Sequence, residues 1–197
     1  MFLGQSGNRT RSLKRRNMKT IVLIAGFPGV GKSTIARAVA EKLSAAVLDV
    51  DEFKRQTVDP ALLVSQIDPP EVRWKYYTAT LAEAFRLLES GVATTVVIDE
   101  VFHLRDLRGK IQALCAERAV RVLWVEVLCP YELVRERLER KARSGHILSF
   151  EKTLEMHQRF QEVFEPFDDR EDRISIANNE RPVEEMLTPI IANAEGG

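Results

Sequence analysis

Only two cysteines, Cys115 and Cys129, occur in this chain of 197 residues, and both have apolar neighbours. That excludes a disulfide scaffold and predicts buried free thiols in a reducing compartment. Histidine is equally scarce. His103, His146 and His157 stand far apart, with no partner at ligand spacing, so no zinc cluster is expected. No apolar run reaches the length that spans a bilayer. The N-terminus is basic but lacks the apolar core and cleavage site of a secretion signal, which points to a cytoplasmic protein. Net charge is absent too, since 29 Lys and Arg balance 29 Asp and Glu. There are no internal repeats. What remains, 45% hydrophobic and 29% charged residues, suits a globular chain with a substantial core.

The charge balance hides an asymmetry. Arg9, Arg11, Lys14, Arg15, Arg16 and Lys19 are six cations in the first 19 residues, which hold no acid. Setting them aside leaves 23 basic against 29 acidic residues, so the remainder is near −6. A basic arm can touch nucleic acid, but a Gly/Ser/Asn-containing tail is more simply a disordered leader. Met18, just before the first apolar run, is a natural start for a compact chain. The expected organisation is a basic disordered tail, 1–18, and a single domain, 19–197. The acidic remainder argues against an extended nucleic-acid surface.

Residues 26–33 read Gly-Phe-Pro-Gly-Val-Gly-Lys-Ser, a complete G-x-x-x-x-G-K-S phosphate loop. Glycines at 26 and 31 permit a turn whose backbone N–H groups point inward at phosphate oxygens. Lys32 can reach the β- and γ-phosphates, and the Ser33 hydroxyl can ligate Mg²⁺. Its flanks are the required ones. Residues 20–25 (TIVLIA) form a β-branched apolar run and 34–43 (TIARAVAEKL) have helical periodicity, so the loop feeds a helix N-terminus. The residues expected to hold the nucleotide are Gly26, Pro28, Gly29, Val30, Gly31, Lys32, Ser33 and Thr34.

Beyond the loop, strands and helices alternate. Strands are expected at 46–50, 94–98, 121–128 and 173–177. Helices are expected at 71–88, 107–119, 131–143, 150–164 and 182–194. That order means parallel βαβ units with right-handed crossovers. Ligands in such sheets bind beyond the carboxyl ends of the strands, so the acids there matter: Asp49, Asp51, Asp99 and Glu100. The two-residue strand period puts Asp49 and Asp51 on one face. The alternative for Asp51 and Asp99 is a helix N-cap.

The stretches GFPGVGKST at 26–34, DVDEF at 49–53, VVIDEVF at 96–102 and VLWVEVLCPYELVRERLERKARSG at 122–145 carry a family resemblance. Over roughly 19–165 the chain resembles the nucleoside-kinase-like branch of P-loop proteins. It is similar in these stretches to chloramphenicol phosphotransferase, zeta-type toxins and the kinase domain of polynucleotide kinase. The resemblance implies a three-layer α/β fold: a five-stranded parallel sheet flanked by helices, with a lid after strand 4. It also implies ATP and Mg²⁺ as cofactors and a small-molecule hydroxyl as phosphate acceptor, in a monomer or homodimer. By the same resemblance Asp51 is the base for the acceptor hydroxyl. Asp99 helps Ser33 hold the metal, and Arg137, Arg140 and Arg143 are lid arginines that grip phosphate oxygens.

Four alternatives remain open on the residues. Arg135, Arg137, Arg140 and Lys141 alternate with Glu132, Glu136 and Glu139, as a solvated helix face would. Glu100 directly after Asp99 reads like an ATPase strand in which the glutamate orients attacking water. The basic tail keeps a polynucleotide 5′-hydroxyl kinase in view. Trp74, Tyr76, Tyr77, Phe102 and His103 are candidates for an acceptor pocket, although aromatics on helices more often belong to the core.

Overall fold

The computed structural model describes residues 18–59, 67–140, 150–168, 171–179 and 181–195. The basic tail, the expected lid turn, Arg143 and His146 fall outside the described residues. Five strands, β1 (Thr20–Ala25), β2 (Ala46–Asp49), β3 (Thr95–Asp99), β4 (Arg121–Leu128) and β5 (Arg173–Ala177), form one parallel sheet in the order β2-β3-β1-β4-β5. The helices are α1 (Lys32–Leu43), α2 (Val50–Thr57), α3 (Pro70–Glu89), α4 (Arg105–Glu117), α5 (Tyr131–Arg140), α6 (Phe150–Val163) and α7 (Val183–Ala194). No described helix is long and apolar enough to cross a membrane.

Side-chain alternation along the buried central strand splits the interior into two layers. Ile21, Leu23 and Ala25 of β1 face a core built with Tyr76, Tyr77, Leu81 and Phe85 of α3 and Leu107 and Ile111 of α4. Val22 and Ile24 face the other core, with Ile35 and Val39 of α1, Val134 and Leu138 of α5, and Leu187 and Ile190 of α7. Every residue of β1 is buried. The phosphate loop therefore leaves the sheet from a fully buried strand paired on both sides, between β3 and β4.

The boundary that differs most in consequence is at β2. The strand ends at Asp49, and Val50 already belongs to α2. Asp49 is the N-cap, its Oδ1 accepting from the Asp51 amide at 2.9 Å. The strand-face argument for Asp49 and Asp51 is thereby corrected: a helix starts between them, and Asp49 rather than Asp51 fills the capping role. Of the cysteines, both free, Cys115 is buried as expected and Cys129 only partly so.

A buried cation locks the far layer. Arg108 on α4 is 1% exposed and donates to Glu171 Oε1 at 2.5 Å and Oε2 at 3.0 Å. It also donates to the carbonyls of Phe102 (2.9 Å) and Glu165 (3.0 Å), and it lies 4.2 Å from the Phe167 ring centroid. Such a charge is tolerated inside only when its donors are all matched. Partial burial tends to raise Glu171. The hydrogen bonds from Arg108 and from the Asp168 amide, with the Arg108 charge, hold it below the usual carboxylate range instead. Glu171→Gln is expected to cost about 2 kcal/mol in urea unfolding at neutral pH, the scale of a hydrogen bond between charged groups. A depressed carboxyl adds stability above its unfolded-state pKa and loses it as pH falls through the folded one. The difference between parent and variant should therefore shrink in acid.

Candidate functional site

At the carboxyl end of β1 the chain turns through residues 26–31 and enters α1. Gly31 is the N-cap, with φ +97° and no side chain capping the helix, so the Lys32 and Ser33 amides are placed to meet an anion while the Thr34 amide donates to the Gly31 carbonyl at 3.1 Å. A Cβ on Gly31 would stand 2.5 Å from Asn178 Nδ2, and one on Gly29 (φ +84°) would stand 2.8 Å from Val134 Cγ1. The loop is thus gripped from β5's end and from α5 at once. Asn178 Nδ2 donates to the Val30 carbonyl at 2.7 Å.

Lys32 is half-buried and folds back to donate to the Phe27 carbonyl at 3.0 Å. Burial lowers its pKa, against the pull of Asp99, Glu100 and Asp51. Ser33 Oγ donates to Asp99 Oδ2 at 2.8 Å, which brings the two expected metal ligands together across the α1–β3 gap. Burial raises the Asp99 pKa, while Lys32 and Ser33 pull it down. Two hard oxygen donors beside a phosphate loop fit Mg²⁺, which takes few protein ligands and completes its shell with phosphate and water. Among the described residues no group of three or more His, Cys, Asp and Glu could hold a metal, in keeping with so sparse a site.

Asp51 stands in the first turn of α2, reached by solvent at the rim of the same cleft. Crowding by protein atoms, then the charges of Glu100 and Asp49, push its pKa up to about 6, with Lys54 and Arg55 opposing. Glu100 is placed differently. Its Oε1 accepts from Arg73 Nη1 at 3.3 Å, and Arg73 is itself buried, over the Phe160 ring. Asp99 and Glu100 are sequence neighbours on opposite faces of the sheet. One turns toward Ser33 on α1 and the other toward Arg73 on α3.

The lid arginines are less engaged with the loop. Arg140 pairs with Glu136 at 3.2 Å on an exposed helix face, and Arg135 with Glu132 and Glu139. Both match the solvated-face alternative. Arg137 leans back toward Cys129 Sγ at 3.6 Å. The aromatic candidates are mostly core: Tyr76, Tyr77 and Phe102 are buried in edge-on or tilted contact with one another. Tyr76 Oη donates to Asp68 Oδ2 at 3.1 Å. His103 is buried against Phe160, and burial, with Arg73 and Arg108 nearby, pushes its pKa down to about 3, so it is neutral.

Three residues around the site were not legible in the sequence: Arg73, Asn178 and His157. Arg73 sits among aromatics on a helix, where an arginine reads as surface. Asn178 and His157 lie 148 and 129 residues from the loop carbonyls they bond, so no local pattern links them.

A family model described as "AAA domain" (AAA_33) matches residues 21–167. An uncharacterized protein of Mycobacterium tuberculosis, Rv2004c, is 27% identical over 129 residues, which is 62% of this chain. The chain spans only 26% of that relative's length. A shikimate kinase of Corynebacterium efficiens is 26% identical over 185 residues, covering 90% of this chain and 98% of the relative. Among solved structures, an unliganded sugar kinase from Janibacter sp. HTCC2649 superposes with a TM-score of 0.65 at 21% identity, over 91% of this chain and 99% of that one.

The packing of the loop yields a stability test. Gly29→Ala adds both a left-handed strain and a clash with Val134, and should cost about 1–3 kcal/mol. Adding Val134→Ala should recover the steric part and leave the backbone part. A double-mutant cycle in urea would therefore show favourable coupling between the two substitutions.

Proposed function

This chain belongs to the AAA-domain family that matches residues 21–167, and on that premise we propose that it transfers the γ-phosphoryl group of Mg-ATP to a hydroxyl of a small molecule. The observation that carries this reading is the sorting of two carboxylates beside the phosphate loop. Asp51 is open to the cleft with a pKa near 6, while Glu100 is tied to a buried arginine. A transferase needs a base for an acceptor alcohol, and a hydrolase needs a carboxylate free to orient water. Asp51 fits the first requirement. Glu100, held by Arg73, does not fit the second. The kinase names of the shikimate kinase and sugar kinase relatives agree with this reading.

In this mechanism the loop amides and Lys32 hold the β- and γ-phosphates, and the N-terminus of α1 favours their charge. Lys32 would exchange the Phe27 carbonyl for phosphate oxygens, which satisfies its charge better. Ser33 and Asp99 would hold Mg²⁺, which when bound would offset the negative charge of the phosphates. Asp51 accepts the proton of the acceptor hydroxyl as its oxygen attacks phosphorus. Of the lid candidates, Arg137, whose partner is the weak acceptor Cys129 Sγ, would grip the transferred phosphoryl group, and Arg140 would have to leave Glu136 to join it. Most of the rate gain lies in alignment and charge complementarity rather than covalent chemistry.

Lys32→Ala should abolish most of the rise in melting temperature that Mg-ATP gives the parent. A calorimetric scan with and without nucleotide checks this, and an undiminished shift in the variant would remove the basis of the reading.

A second test concerns the base. Because the Asp51 pKa is raised to about 6, the carboxylate form prevails only above that value. Transfer should rise with pH through about 6 and then level off. Asp51→Asn should lose at least about 10²-fold, and with it the rising limb. Glu100→Gln should be milder, and ADP release without acceptor should be slow. ADP release measured over pH, with a panel of hydroxyl acceptors, distinguishes the two chemistries. Rapid acceptor-independent turnover lost in Glu100→Gln but kept in Asp51→Asn would establish a hydrolase.

A further inference from the structure

His157 lies in α6, fully buried, and its Nδ1 stands 2.8 Å from the carbonyl oxygen of Pro28 in the phosphate loop. A carbonyl has no proton, so Nδ1 must be the N–H and donate. The ring is held at 5.1 Å from Phe27 of the loop and 5.5 Å from Tyr131 of α5. Its other nitrogen, Nε2, is buried with no hydrogen-bond partner among the described residues. An imidazole kept inside at the cost of an unmatched nitrogen is a poor choice for packing alone. Phenylalanine would fill the space without that cost. What phenylalanine lacks is the Nδ1 donor.

We infer that His157 is a positioning residue for nucleotide binding, holding the Pro28 carbonyl outward so that the loop amides stay turned toward the phosphates. The inference rests on the nucleotide-binding reading above. The geometry supports it from the loop's side as well. Phe27 packs on His157 and on Phe164, while Thr153 of α6 comes within 3.7 Å of where a Cβ on Gly29 would lie. One helix thus touches Phe27 and Pro28 and comes close to Gly29, and at Pro28 the contact is a directed hydrogen bond. Burial lowers the His157 pKa; the bond to Pro28 opposes this and the Lys32 charge adds to it. The ring is therefore neutral at physiological pH, as single donation requires.

Two substitutions separate donor from ring. H157F keeps an aromatic ring between Phe27 and Tyr131 but removes the donor. H157N places an amide nitrogen as many bonds from the backbone as Nδ1 but removes the ring. On the positioning role, H157F keeps or raises the melting temperature of the apo chain yet weakens binding of a non-hydrolysable ATP analogue by roughly fivefold, the scale of one hydrogen bond. H157N melts lower but recovers most of that affinity. A residue that only packs gives the opposite order. Isothermal titration and scanning calorimetry on the full chain supply both readouts, and neither needs the acceptor. If H157F does not fold, H157M fills a similar volume without a donor and takes its place. H157F binding as tightly as the parent, or affinity falling in step with melting temperature across the set, overturns the inference alone. A parent that does not bind the analogue overturns the nucleotide reading and the inference with it.

Discussion

A loop that turns its amides inward to meet an anion must turn its carbonyls outward, and outward carbonyls need donors. The rest of this structure depends on that constraint. The carbonyls of Phe27, Pro28 and Val30 are met by Lys32 Nζ, His157 Nδ1 and Asn178 Nδ2. One donor comes from the helix the loop feeds, one from α6, and one from the end of β5. The three elements converge on the loop only because β1 is central and fully buried, with β4 and β5 laid beside it in register. The glycines answer the same demand. At 29 and 31 a side chain would collide with the groups that hold the loop.

The second organising fact is the two-residue period of β3. It sends Asp99 to the α1 layer and Glu100 to the α3 layer, where partners of opposite character wait: a hydroxyl for the first and a buried guanidinium for the second. Shifting the register by one residue would exchange them. Adjacent carboxylates thereby acquire different surroundings without any distance between them in sequence. Asp51, released from the strand by the start of α2, is the acid left facing the cleft, and crowding by protein atoms, then its neighbours' like charges, draw its pKa toward neutrality.

The sheet and the loop were legible because both are written in local pattern. β-branched runs and glycine spacing need no partner elsewhere to be recognised. The capping role of Asp49 was less so, since strand alternation and a helix start make rival claims on the same two acids, and only the onset of α2 at Val50 decides between them. Arg73 and Arg108 escaped notice for a different reason. Arginine is ordinarily a surface residue, and nothing near either position announces the carboxylates and rings that enclose it. The helix around Arg140 had the reverse difficulty. There the family resemblance implied phosphate contacts, while i,i+4 neighbours of opposite sign already satisfy Arg135 and Arg140, as the alternation of charges on that face allowed. Long-range donors such as His157 and Asn178 leave no trace in spacing at all.

The strand order carries a consequence for how such a protein diversifies. Because β1 divides the sheet, the chain between β1 and β4 builds one flank of the cleft, with Asp51, Arg73 and Glu100. The chain after β4 builds the other, with Arg137, His157 and Asn178. Each flank is a continuous stretch of sequence, and the two meet across the central strand, in the packing of α1 on α7, at the loop bonds of His157 and Asn178, and at the Arg108 anchor. A recombination joint near residue 120 would exchange one flank whole while leaving the opposite wall of the cleft intact. Because the phosphate loop and Asp51 both lie before that joint, such an exchange would replace the wall that carries Arg137, His157 and Asn178 while the loop and Asp51 stayed together on one inherited stretch.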